Sequence, residues 1–225
     1  MPTSSYSVIK ALAAGMFLVA GTAAGKGLDL APYRISSVDE EIALARTAAP
    51  PSISADAEVL ALTDQGYKSV HAGKNGFVCV VERSWGTPFD DPQFFNPKIR
   101  SPICFNSAGA KSALAAYVER TRDVLAGYPT AELIHRAEAR GAKSDMIPGP
   151  GAMCYMLSKL GYLSDDGGHW HPHLMFFVAS DAKSWGANLP GSPVIAATDK
   201  TDPTTTFMVT VGRWSDGTRD EAVHE

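Results

Sequence analysis

Hydrophobic and polar positions alternate in short runs over the middle of the chain. AEVLALT (57–63), YKSVHA (67–72) and FVCVVER (77–83) each have the length and β-branched content of a strand. Asp64-Gln65-Gly66 and Gly73-Lys74-Asn75-Gly76 separate them, and Asn75-Gly76 suits the positive φ angles of a tight hairpin. These signals predict an antiparallel meander. Upstream, Ser37-Val38-Asp39-Glu40 forms a capping box that opens a short helix, which Pro50-Pro51 stops. From Ser84 to Ser101 the pattern gives way to an aromatic and proline-rich stretch without period, the length of a functional loop. Within it, Asp91-Pro92 suits the cap of a helical turn, and Asp90 or Asp91 is a candidate catalytic carboxylate.

Helical spacing takes over at Asn106-Ser107. Ala110, Leu114, Tyr117, Val118 and Leu125 fall on one face, with Lys111, Glu119 and Arg122 on the other, and Gly127 and Pro129 end the run. A second helix is predicted from Thr130 to Gly141, and a third, short one over AMCYMLSKL (152–160) after the breaker Pro148-Gly149-Pro150-Gly151. The last third reads as strands again: HWHPHLMFFVAS (169–180), PVIAA (193–197) and TTTFMVTVGRW (204–214), followed by a polar tail expected to fray. Together these predict a single α+β domain over residues 25–225. Its sheet is mainly antiparallel, of five or six strands, with three or four helices on one face.

The first 24 residues carry a different pattern. Lys10 precedes an uninterrupted run of small apolar residues from Ala11 to Ala24, too short for the roughly 20 residues a membrane span needs, and Thr22-Ala23-Ala24 offers a cleavage site. This predicts a signal peptide, with release of the remainder to the periplasm or beyond and no membrane span afterwards. A formal net charge of −4 leaves no basic surplus for phosphates, so a nucleic-acid partner is not expected. Export also changes the reading of the cysteines, because an oxidising compartment permits disulfides. Joining Cys79 to Cys104 would staple the long aperiodic stretch and leave Cys154 over.

His169, His171 and His173 alternate, so on an extended strand their imidazoles leave one face, about 6.6–7 Å apart for successive pairs. Two of them can converge on one ion at about 2.0–2.1 Å each, whereas all three need a bend, which Pro172 could supply. The pattern suits a divalent transition metal, zinc or copper. His71, Glu82, and Asp165 or Asp166 are the further ligands the chain offers. On this reading the protein is a metal-dependent hydrolase in which Glu82 or Asp166 is the general base for a metal-activated water. The alternative is a non-catalytic protein that holds a small ligand or a protein partner between the aromatic loops around Trp85 and Trp185.

Cys154 offers a third chemistry. Near the start of a helix, a thiol is activated by the helix dipole, and a downstream strand histidine could act as its base. That order of elements resembles cysteine peptidases of the NlpC/P60 type, but Met153 and Tyr155 stand where their motif has Asp and Ser-Gly. An apolar MCYM context fits a buried, inert thiol. At GFVCVVERSW, HWHPHLMFF and SWGANLPGSP the chain resembles a family of exported bacterial proteins of unknown function, over most of the length from Glu40 to Gly217. The resemblance implies an exported setting and no particular activity.

Overall fold

The computed structural model describes residues 27–141, 147–168, 170–180, 182–198, 201 and 204–221. The expected signal segment, residues 1–24, and His169 lie outside them. Eight strands form one sheet: β1 (Glu58–Thr63), β2 (Gly66–His71), β3 (Val78–Glu82), β4 (Ser101–Phe105), β5 (Met153–Met156), β6 (His173–Val178), β7 (Val194–Thr198) and β8 (Thr205–Thr210). Their spatial order is β2-β1-β3-β4-β5-β6-β8-β7, and every neighbouring pair is antiparallel except β1 and β3. The expectation of five or six mainly antiparallel strands is therefore corrected to an eight-stranded mixed sheet.

The parallel pair arises where a hairpin had been expected. β2 does hairpin onto β1 across Asp64-Gln65, but the chain then returns over the start of β1 and places β3 on its other side. Gly73 makes that crossing possible. A Cβ there would lie 2.2 Å from Glu58 N, and the next residue donates Lys74 N–H to Asp56 O at 2.8 Å. Asn75 is spent on the same crossing, its amide reaching Ile53 O and Phe77 N rather than shaping a two-residue turn.

β4 and β5 account for the undercount. Both lie in the middle of the sheet and are covered on both faces, so their apolar residues are continuous instead of alternating. Met153–Met156 is a strand, not part of a helix over 152–160, because it pairs with β4 and β6 on its two sides. A buried run this short has no period that separates the two possibilities.

Helices cover both faces, not one. On one side α1 (Val38–Arg46), capped by Ser37 Oγ, and α2 (Pro51–Ser54) pack on Val59, Cys79, Val81 and Cys104. On the other, α3 (Ser107–Gly109), a π-helical segment (Ala110–Leu114) and α4 (Ala115–Leu125) run on as one rod. With α5 (Thr130–Gly141) they cover Val80, Ile103, Phe105, Cys154 and Phe177. Asn106 caps the rod as expected, its Oδ1 accepting Gly109 N–H at 2.8 Å while its Nδ2 ties Gly151 O at 2.7 Å.

One buried ion pair links the layers. Arg83 donates to Glu41 at 2.9 Å and to Tyr33 O at 2.8 Å, and Glu41 also accepts Leu62 N–H. At the far edge, the Asn188 side chain pairs with both N–H and C=O of Ala196 at 2.9 and 3.0 Å, which blunts the open side of β7 against strand addition. Among the described residues no helix is long and apolar enough to cross a membrane.

Candidate functional site: a cavity under the helical rod

Along β3 the side chains of Val78, Val80 and Glu82 point to the rod, so an apolar strand ends with a carboxylate under a helix. The chain then leaves through a 3-10 turn, Ser84–Gly86, that folds back over that carboxylate. A Cβ at Gly86 would lie 2.8 Å from Glu82 Oε2 and 3.6 Å from the Tyr117 ring, so glycine is needed for this approach. Between sheet and rod lies a cavity of about 320 Å³. Its floor is Ile103 and Phe105 of β4, Met175 and Phe177 of β6, and Met208 of β8; Ala113, Ala116 and Tyr117 form its roof.

The roof is where the rod changes winding. Ala113 belongs to the π-helical segment and Ala116 to the turn after it, a local irregularity that recurs at functional sites. Two alanines here leave open the space that larger side chains would fill. Tyr117 is held by its hydroxyl, which accepts Arg83 N–H at 2.7 Å and lies 3.2 Å from the Tyr67 hydroxyl, itself donating to Val81 O. Arg120, one turn on, donates to Trp85 O and Thr87 O at 3.3 Å each and stacks on Phe89, fastening the 84–89 segment at the cavity edge.

Glu82 lines this space without a hydrogen-bond donor among the described residues. Burial pushes its carboxyl up to about 8, and the Arg120 guanidinium opposes that only in part. Burial and the nearby Glu82 also hold the Cys154 thiol well above its ordinary value. Cys154 sits fully buried on β5, away from any helix start, so the geometry that would activate it as a nucleophile is missing. Its burial is what its apolar neighbours implied.

Of the three alternating histidines, His171 and His173 lie among the described residues. His171 precedes β6, and its Nδ1 donates to Asp220 Oδ2 at 2.6 Å. His173 is buried, donates Nδ1–H to His171 O at 2.7 Å, and lies 4.7 Å from the Trp170 ring; burial holds its imidazole below the usual value. His71 stands exposed on β2, at the opposite edge, five strand positions or roughly 24 Å from β6, so the fold does not bring it to His173. Asp165 accepts from Tyr162 at 2.6 Å and Lys98 at 3.0 Å, and Asp166 is exposed in the same turn, outside the Glu82 cavity. Among the described residues no group of three or more His, Cys, Asp or Glu is close enough to hold an ion.

Trp85 and Trp185 do not flank a common space. Trp85 is a core residue, fully buried, donating Nε1–H to Thr121 Oγ1 at 2.9 Å. Trp185 stacks on Phe207 at 4.4 Å, on the sheet face away from the cavity. Asp91 serves a turn, its Oδ1 accepting Gln93 N–H at 2.7 Å. Asp90 is exposed.

Sequence reasoning named Glu82 but not its surroundings. Tyr117 read only as part of an apolar helix face, and Arg120 and Met175 carried no signal of their own. Asp220 fell in the tail expected to fray, which instead folds back through Asp220 N–H to Gly212 O at 3.2 Å. No family model, no curated protein and no solved structure matches the chain.

Proposed function

We propose that this is an exported, non-catalytic binding protein that holds a small, mainly apolar molecule between its sheet and the α3–α4 rod. The observation that carries this reading is the Glu82 carboxyl: it faces a cavity of about 320 Å³ whose lining is mostly apolar, with Thr198, Thr204 and Thr206 at one side, and it finds no donor among the described residues. A half-buried carboxyl facing such a space gains from a partner, and a ligand's polar end would provide one. The π-helical roof and the two alanines at 113 and 116 support the same reading, since both keep the space open. The Cys79–Cys104 disulfide supports export to an oxidising compartment. Methyl-labelled methionine reports the test: titrating 1-octanol should shift the Met175 and Met208 methyl resonances, and Ala116→Phe should abolish the shift. Unmoved resonances at saturating octanol would overturn the reading.

A second reading, metal-dependent hydrolysis, is favoured by one contact. A carboxylate on Nδ1 orients an imidazole and leaves Nε2 to a metal, and Asp220 stands so to His171. Calorimetric titration of zinc and copper into the metal-free protein should then show stoichiometric binding that His171→Ala removes. No binding to the wild type would end this second reading.

A further inference from the structure

Among the described residues that line the cavity, polar side chains stand on two sides. Glu82 enters from the end of β3, next to Tyr117 and Arg120 of the roof. Thr198 ends β7, Thr206 lies on β8 and Thr204 immediately precedes it. In the sheet β4, β5 and β6 separate β3 from β8, and what they place between the two sides is apolar. Phe105 is opposite Cys154, Cys154 opposite Met175, and Met175 opposite Met208. One row of side chains therefore crosses from β4 to β8, about 14 Å at the usual strand spacing. Thr206 is two positions from Met208 on the same face of β8, so the row ends at a hydroxyl.

The two sides ask for different partners. A carboxyl oxygen accepts hydrogen bonds whether the group is ionised or protonated, so a ligand N–H or O–H satisfies Glu82 in either state. Tyr117 does not supply that donor, since its hydroxyl is occupied by Arg83 N–H and the Tyr67 hydroxyl. A threonine hydroxyl has one proton and two lone pairs, so it receives a ligand's polar group as donor or as acceptor even where it already has one partner.

Resting on the binding role proposed above, we infer that the cavity takes an elongated molecule with a polar group at each end of an apolar middle. The end at Glu82 carries an O–H or N–H, the other end meets Thr198 and Thr206, and the middle lies along Phe105, Met175 and Met208. A molecule with one polar end leaves one side of the cavity without its partner.

Calorimetric titration compares octane-1,8-diol and decane-1,10-diol with 1-octanol and 1-decanol, the alkanols of equal carbon count. The diol that spans the row should bind wild type about five- to tenfold more tightly than its alkanol, the change that one net hydrogen bond gives. Combining Thr198→Val with Thr206→Val, which keeps the shape and strand preference of threonine, should bring that ratio to about one, and Glu82→Met should do the same. If both diols bind wild type no more tightly than their alkanols, or if the ratio survives in the double threonine variant, the inference is overturned and the binding role stands. If neither diols nor alkanols bind wild type, or Ala116→Phe leaves their affinities unchanged, the binding role fails and takes the inference with it. Should a variant at Glu82 or the threonines fail to fold, the wild-type comparison of diol with alkanol still decides.

Discussion

Glu82 and Arg83 are neighbours on one strand with opposite fates. Arg83 turns to the α1 face and is compensated by Glu41 and Tyr33 O, whereas Glu82 turns to the rod and is left to the cavity. The carboxyl of Glu82 moves from an ordinary 4.5 to about 8 on folding, so between those values the folded state binds a proton that the unfolded state has released. Stability must therefore fall as pH rises from about 4.5 to 8, and the loss is complete above the folded value. Glu82→Gln removes that dependence. Thermal melts at pH 5 and pH 8.5 should show wild type losing several kcal/mol more than the variant over this interval, and parallel losses in both would contradict it. In the sequence Glu82 stands out as a charge ending an otherwise apolar strand run, and reads as a ligand or base for the histidine strand rather than as part of this cavity. Its partners do not stand out, since Tyr117 and Arg120 sit on a helix whose periodicity reports only that one face is buried.

At the scale of elements, what could be read was whatever carried its own local signal. The capping box at Ser37–Glu40, the Asn106 cap and the glycine after α4 each satisfy or terminate backbone groups within a few residues, so α1, the rod and α5 lie where their patterns put them. β4 and β5 carried no such signal, because a central strand's identity is set by neighbours distant in sequence. The β2-to-β3 connection was misread for a related reason: Asn75-Gly76 is a good turn in either topology, and only the contact of Gly73 with the start of β1 chooses the parallel one. That contact makes a definite expectation. Gly73→Ala would force a Cβ to within 2.2 Å of Glu58 N, against backbone that cannot yield without shifting β1. A loss of about 1–3 kcal/mol in urea denaturation is expected, of the size that overpacking costs. A solvent-exposed loop glycine would instead gain or lose only tenths, and that outcome would mean the crossing is looser than drawn.

For the molecule as a whole, the disulfide is placed where one sheet has two covered faces. Cys79 and Cys104 are directly opposite on β3 and β4, fully buried on the α1 side, and the bridge closes a separation of 25 residues that contains the whole 84–101 segment. Restricting that segment in the unfolded chain is worth about 3.5 kcal/mol by loop entropy. Cys154 pairs in register with Phe105, the residue beside Cys104, yet alternation turns its thiol to the opposite face, into the core beneath the rod. The sheet itself therefore separates the free thiol from the bridge and blocks exchange between them. Non-reducing peptide mapping should find Cys79 linked to Cys104 alone, with Cys154 unlabelled by iodoacetamide until the chain is unfolded. Reduction followed by urea titration should lower stability by about the loop-entropy figure while leaving the octanol-induced shifts at Met175 and Met208 intact, because the cavity lies on the other face of the sheet. Loss of those shifts on reduction would show that the two faces are mechanically one unit, and the assignment of the cavity to an independently supported half of the core would have to be abandoned.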